Sequence, residues 1–174
     1  MRAAIAVAAV AAALLLGACA AGGPEPITYG RDACDYCRMV ISDARYGAEL
    51  VTAKGKVRRF DSIECLAAYY LQVRAEGQVR SLWVTDFARP GTLVPAADAQ
   101  YVRAAGPGSP MGMGLTALGP QADGAARRRV AGDDASPMRW PDVLALVERE
   151  GMPRGAAPAH AAPPPGEGHG ARAR

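Results

Sequence analysis

The chain has 174 residues, and its 20 Lys and Arg against 17 Asp and Glu leave a formal charge of only +3. So weak a charge gives no reason to expect nucleic-acid binding, and the one basic run, residues 127–129, has no aromatic stacking platform beside it. Neither a Ser/His/Asp set, a phosphate loop nor a pair of catalytic carboxylates can be assembled from the residues, which argues against a hydrolase.

The amino terminus predicts a lipoprotein signal peptide over residues 1–18. A basic residue comes first, residues 3–16 are apolar, and this run is shorter than the about 20 residues that a membrane-spanning helix needs. Two small residues then precede Cys19, as in a bacterial lipobox. We therefore expect the mature chain to begin at a lipid-bearing Cys19. An uncleaved anchor, or a plain secretory signal with an incidental cysteine, is the alternative.

A lipid anchor predicts a periplasmic protein held at a membrane. Ala20 and Ala21 stand where an aspartate would retain a lipoprotein in the inner membrane, so the outer membrane is the expected address. Residues 19–30 are rich in Gly, Pro and Ala and predict a tether. Residues 152–174 have the composition of a disordered tail. The folded region is therefore expected over residues 31–151.

Three cysteines remain once Cys19 carries lipid: Cys34, Cys37 and Cys65. Structural thiols normally pair in an oxidising compartment. An odd number therefore leaves at least one cysteine that is free, bridged to another molecule or bound to a metal.

The first half of the folded region predicts two strands, a helix and a strand. A short β-prone segment over residues 38–42 comes first. Residues 49–52 and 57–60 then flank a lysine–glycine turn and predict a hairpin. After the helix, residues 81–86 predict a further strand.

The clearest helix is expected to begin at Asp61 as its N-cap, with Glu64 at the spacing of a capping box. It runs to about Glu76, and Gly77 ends it. An apolar stripe of helical periodicity follows the cap, formed by Ile63, Leu66, Ala67, Tyr70 and Leu71.

Cys65 is predicted to lie about 200° from Ile63 around this helix, opposite the buried stripe. Its place in the first turn favours a thiolate, because the helix N-terminus carries partial positive charge. We interpret Cys65 either as a small half-buried residue, or as an additional metal ligand or disulfide partner of Cys34 or Cys37.

The second half of the folded region can be interpreted in the same order. Strands are expected over residues 100–104 and 115–118, and a short helix over residues 121–129. A last helix is expected over residues 141–150, since a proline begins it and Gly151 ends it.

The most informative stretch is a C-x-x-C-x-M motif formed by Cys34, Cys37 and Met39. Two thiols three residues apart can reach one metal ion from a single turn, and the thioether adds a neutral soft donor. Thiolate with thioether is a donor set that favours Cu(I) over zinc and over hard cations.

Three other interpretations of the cysteine pair stay open. A structural zinc site usually needs four Cys or His ligands, but the only histidines, His160 and His169, lie in the tail. A thiol oxidoreductase needs the pair at the start of a helix, whereas the residues after Cys37 predict a strand. A purely structural disulfide between Cys34 and Cys37 is the third.

A second methionine cluster, Met111 and Met113, lies among glycines in the segment 109–114. Because glycines break the pattern of both a helix and a strand, these methionines do not fill a regular core. We interpret the segment either as a flexible loop with incidental methionines or as a loop that brings one thioether to the site of Cys37 and Met39.

In their order along the chain, these features resemble the NosL family of copper-binding lipoproteins, which help mature the copper sites of nitrous oxide reductase. A lipobox and the C-x-x-C-x-M motif come first. Residues 59–62 then lead into a helix, residues 83–86 read Trp-Val-Thr-Asp, and the methionine–glycine segment follows. The resemblance covers most of the chain from Cys34 to Gly114.

The resemblance implies an α+β fold of two related ββαβ units, about residues 31–90 and 91–151, similar to that of organomercurial lyase. It also implies a set of Cu(I) ligands. These are Cys37 and Met39, with Met113 or Met111 as the third.

One departure from the family pattern bears on this ligand set. Many relatives have a histidine just before the central cysteine, where this chain has Asp35 and Tyr36. Cys34 and Cys65 could substitute for that histidine.

The implied function is that of a Cu(I) chaperone rather than an enzyme. Such a protein hands one Cu(I) to an acceptor by ligand exchange, and the expected acceptor is nitrous oxide reductase or its assembly ABC transporter. A periplasmic thiol-disulfide oxidoreductase using Cys34 and Cys37, and a zinc-stabilised binding module, are the alternatives.

Overall fold

A computed structural model of the protein describes residues 23–104, 108–133 and 136–152. The predicted signal peptide, Cys19 and the tail beyond residue 152 lie outside these residues. Within them, no helix is long and apolar enough to cross a membrane.

The first half builds a four-stranded antiparallel sheet in the order β2-β1-β3-β4. Its strands are β1 (Ala48–Thr52), β2 (Val57–Phe60), β3 (Val79–Thr85) and β4 (Leu93–Pro95). The predicted hairpin is confirmed, since β1 and β2 pair and Gly55 takes the left-handed conformation, with φ 83°, at the turn. Strand β4 was not expected, because three residues are too few to show a period.

Helix α1 (Ile63–Val73) follows β2 and continues as a 3-10 turn over Arg74–Glu76. Gly77 ends it with φ 63°, as expected. Its start differs from the prediction, because the N-cap is Ser62 rather than Asp61. Ser62 has extended backbone, and its Oγ accepts a hydrogen bond from the Cys65 N–H at 3.3 Å.

The second half contains strands β5 (Gln100–Arg103) and β6 (Leu115–Leu118), which pair antiparallel. Helices α2 (Gly124–Ala131) and α3 (Trp140–Glu150) follow. The expected order of strand, strand and helix is confirmed, but a second ββαβ unit is not. No strand follows α2 within the described residues. The only β-type pairing there is a one-residue bridge between Met138 and Tyr101.

The hydrophobic core joins the two halves around α1. Tyr101 of β5 is fully buried, and its hydroxyl donates a 2.8 Å hydrogen bond to the carbonyl of Ala96, just beyond β4. Trp140 of α3 contacts Tyr70 of α1 and Tyr101, with ring centroids 6.2 and 5.9 Å apart. Helix α1 is thereby packed against the second half of the chain through Tyr70.

Candidate metal centre

The structure brings three thiols together at the start of α1. The Sγ atoms of Cys34, Cys37 and Cys65 all lie within 4.8 Å of one another, and all three cysteines are free thiols. Cys34 and Cys65 are fully buried, whereas Cys37 is partly exposed. We refer to these three residues as the cysteine cluster.

The first two cysteines lie in a tight loop. The Cys34 N–H donates to the carbonyl of Met39 at 2.8 Å, and the Arg38 N–H donates to the carbonyl of Cys34 at 3.0 Å. Arg38 has φ 67°, a left-handed conformation that is uncommon for a residue with a side chain. Cys37 is turned back by this loop, so that its N–H donates to the Cys34 sulfur at 3.4 Å.

The predicted strand over residues 38–42 is therefore wrong. Only Val40 makes a β-type contact there, an isolated bridge to Ala33. The left-handed turn at Arg38 reverses the chain, and an extended strand cannot continue through it.

The loop is fixed to strand β2 through Asp35. The Asp35 N–H donates to the carbonyl of Arg59 at 2.8 Å. Its carboxylate accepts hydrogen bonds from the Arg59 N–H and from Arg58 Nη1, both at 3.2 Å. Because β2 leads directly into α1, this attachment places Cys34 against the start of the helix that carries Cys65.

Cys65 is fully buried, so the interpretation that it is a half-buried residue is wrong. Helical periodicity located the core on one side of α1, but every residue from 63 to 68 is buried. The loop of Cys34 and Cys37 covers the other side of the first turn. A covering loop leaves no trace in the periodicity of the helix itself.

The three thiols of the cysteine cluster differ in pKa. Hydrogen bonds from the thiols of Cys37 and Cys65, together with one from the Asp61 N–H, lower the pKa of Cys34. The hydrogen bond to Cys34 raises the pKa of Cys37 to about 11, and the pKa of Cys65 is also raised, mainly by Cys34. One thiolate is thus favoured at Cys34, and a metal ion that binds all three sulfurs must displace the other protons.

The three methionines named in the sequence differ in exposure. Met39 follows the loop and is 45% exposed, while Met113 is only 6% exposed and is part of the hydrophobic core of the protein. Met111 is partly buried and packs against that cluster. Their roles as metal ligands stay predictions.

Two polar residues for which the sequence predicted no part in the site, Glu64 and Ser109, connect the methionine segment to α1. Ser109 Oγ donates a short hydrogen bond to Glu64, the residue before Cys65, and both side chains are buried. The Gly114 N–H in turn donates to Ser109 Oγ at 3.0 Å. Glu64 was misassigned because a carboxylate at this spacing has the signature of a capping box.

Comparison with known proteins decides the family. The NosL family model matches residues 26–134, which include the cysteine cluster and the methionine segment. The chain belongs to the NosL family. No curated protein matches it.

A solved structure with the same fold supports the NosL architecture. The crystal structure of the copper chaperone NosL from Shewanella denitrificans matches with a TM-score of 0.56 and 21% sequence identity. The match covers 68% of this chain and 94% of the other. The expected α+β class is confirmed in this coarse sense.

Proposed function

We propose that this NosL protein is a carrier for one Cu(I) ion, bound through Cys34, Cys37 and Cys65, and not an enzyme. The observation that carries the proposal is the convergence of three sulfurs within 4.8 Å. With a metal–sulfur bond of about 2.3 Å, the zinc–thiolate value, the sulfurs of a planar three-coordinate site lie about 4 Å apart. Binding would therefore need only a small contraction of the cluster.

The donor set supports copper as the cargo. Three soft thiolates with thioethers nearby favour Cu(I), whereas a structural zinc site usually takes a fourth Cys or His. The metal-ligating group found in the described residues has three members, and both histidines of the sequence lie beyond them. The match to a protein described as a copper chaperone points the same way.

The three cysteines differ in exposure, and this difference sets the side from which the ion is transferred. Cys34 and Cys65 are closed off, so an acceptor reaches the ion from the side of Cys37. Met39, two residues further along the chain, is 45% exposed. An incoming donor, or the Met39 thioether in its predicted role as a ligand, can add to a low-coordinate ion from that side, and the buried thiolates are released last.

The same proposal includes the protein that accepts the ion and the cellular location of the chain. We infer that the ion passes to nitrous oxide reductase or to its assembly ABC transporter. The motif at Cys19 supports attachment of the mature chain to a membrane in the periplasm, with the outer membrane preferred.

The experiment is a Cu(I) titration of the mature chain against a chromogenic Cu(I) chelator. We expect one ion per chain and a loss of tight binding in Cys37→Ser. Met138→Leu is the matched control, because the backbone of Met138 bridges to Tyr101 and the residue lies outside the cysteine cluster. Tight binding by Cys37→Ser would contradict the site.

The two alternative functions, a thiol oxidoreductase and a zinc-stabilised module, require different properties of the site. A thiol oxidoreductase needs an accessible nucleophile, yet Cys34, the thiol with the lowered pKa, is fully buried. A zinc module would carry zinc and unfold with chelators. Copper and zinc counted together in protein from its native compartment separate these cases, and zinc alone would contradict the proposal.

A further inference from the structure

The buried carboxylate of Glu64 has no part in the cysteine cluster, although it directly precedes Cys65. It is fully buried, and within the described residues its Oε2 atom has no hydrogen-bond partner. Burial of a carboxylate is costly, because the charged form loses its hydration. An apolar residue would fill this position in the first turn of α1 at lower cost, so a purely space-filling role does not account for Glu64.

The contacts of Glu64 lead to the methionine segment. Ser109 Oγ donates to its Oε1 atom, and the same Oγ accepts from the Gly114 N–H at 3.0 Å. One buried hydroxyl thus closes the two ends of the segment 109–114 onto α1. Ser109 is itself 7% exposed, so water does not compete freely for these bonds.

Two other hydrogen bonds of the segment attach it to β5 and not to α1. The carbonyl of Met113 accepts from Arg103 Nε, and that of Gly114 accepts from the Ala104 N–H, both at 2.9 Å. These bonds fix the segment to the end of β5. Gly112 takes φ 79° within it, so the segment has no regular structure of its own to hold its shape.

We propose that Glu64 is a positioning residue that holds the methionine segment against the helix of Cys65 and thereby places the thioether of Met113 at the copper ion. The proposal rests on the proposed function, since it assigns the residue that joins the two parts of the same site. Met113 is the donor concerned, because it is buried and directly precedes Gly114, whose N–H donates to Ser109 Oγ.

The test compares Glu64→Gln with Glu64→Leu. Glutamine keeps an acceptor for Ser109 and leucine does not. We expect Glu64→Gln to keep the Cu(I) affinity of the wild type and Glu64→Leu to weaken it roughly tenfold, the value of about one net hydrogen bond. X-ray absorption at the copper edge should show one sulfur fewer in Glu64→Leu.

Ser109→Ala provides a second route that keeps the carboxylate. It should weaken binding by the same factor, and the double variant with Glu64→Leu should be no weaker than either single variant. Met113→Leu should likewise have no further effect in the Glu64→Leu protein.

Thr116→Val is the matched control. Thr116 is another buried hydroxyl, on β6 just beyond the segment, so its loss lowers stability without touching Glu64. An unchanged sulfur count in both Glu64→Leu and Ser109→Ala would overturn the proposal, as would an affinity loss matched by Thr116→Val. A wild type that binds no Cu(I) would instead overturn the proposed function.

Discussion

The two halves of the chain share an order of strand, strand and helix, but they differ in how deeply they bury acidic side chains. In the first half, Glu49 is fully buried, with Arg59 Nε 3.4 Å away and a 2.9 Å hydrogen bond from the Glu25 N–H. In the second half, Glu150 stays 35% exposed and accepts two 2.8 Å hydrogen bonds from Arg103. Within the described residues, the half that buries acidic side chains is also the half that encloses the thiols.

The helices repeat this difference. Six consecutive residues at the start of α1 are buried, whereas α2 has none. The first half therefore forms the rigid part of the site, and the second half contributes a loop that must be attached to it. The predictions below test that division.

The largest effect is expected from Leu66→Ala in α1. Leu66 is fully buried, so a cavity should remain and the free energy of unfolding should fall by about 2–5 kcal/mol. The same change at the half-buried Leu144 of α3 should cost clearly less. Chemical denaturation measures both, and equal losses would show that the two halves are packed alike.

A smaller effect concerns Glu49, whose burial raises its pKa from 4.5 to about 7. Folding therefore takes up a proton between these values, and this contribution is complete below pH 4.5 and lost as the pH rises through 7. Glu49→Gln should remove a pH dependence on the order of 1–2 kcal/mol from the free energy of unfolding. An unchanged pH profile would contradict it.

The loss of a helix cap should cost about 1 kcal/mol, and more in the first half than in the second. Ser62→Ala leaves the N–H of Cys65 without its partner inside the core. Asp123→Ala exposes the Ala126 N–H to water instead. Thermal unfolding of the two variants compares them, and a larger loss in Asp123→Ala would reverse the comparison.

The smallest effect is expected at Glu150, with the opposite sign to Glu49. The hydrogen bonds from Arg103 lower the pKa of Glu150 below 4.5, so its contribution is present above that value and lost as the pH falls through the lowered pKa. Glu150→Gln should cost less than about 1 kcal/mol at pH 7, because the pair is exposed. The difference from wild type should vanish in acid and shrink in salt.

The elements with a clear local signal could be predicted from the sequence. The β1–β2 hairpin, the end of α1 at Gly77 and the strand at 115–118 all follow from turn chemistry or periodicity. The convergence of Cys65 with Cys34 and Cys37 could be named only as one alternative, because it depends on the contact between Asp35 and β2. Side-chain periodicity does not report contacts across the chain.

The same limit explains the misread start of α1. Asp61 and Ser62 are both good caps, and the local sequence does not choose between them. Glu64 matched a local motif but bonds instead to Ser109, 45 residues away. A local capping motif therefore did not predict the partner of Glu64, because a contact distant in the sequence determines it.

The exposed thioether of Met39 also makes the site sensitive to oxygen chemistry. Of the methionines in the described residues, it alone is largely open to solvent, while Met113 is enclosed. Oxidation to the sulfoxide converts a soft donor into a hard polar group and is reversible by reductases. Oxidants would therefore reach Met39 before Met113, and under the proposed function such damage would impair release of the ion before it impairs retention.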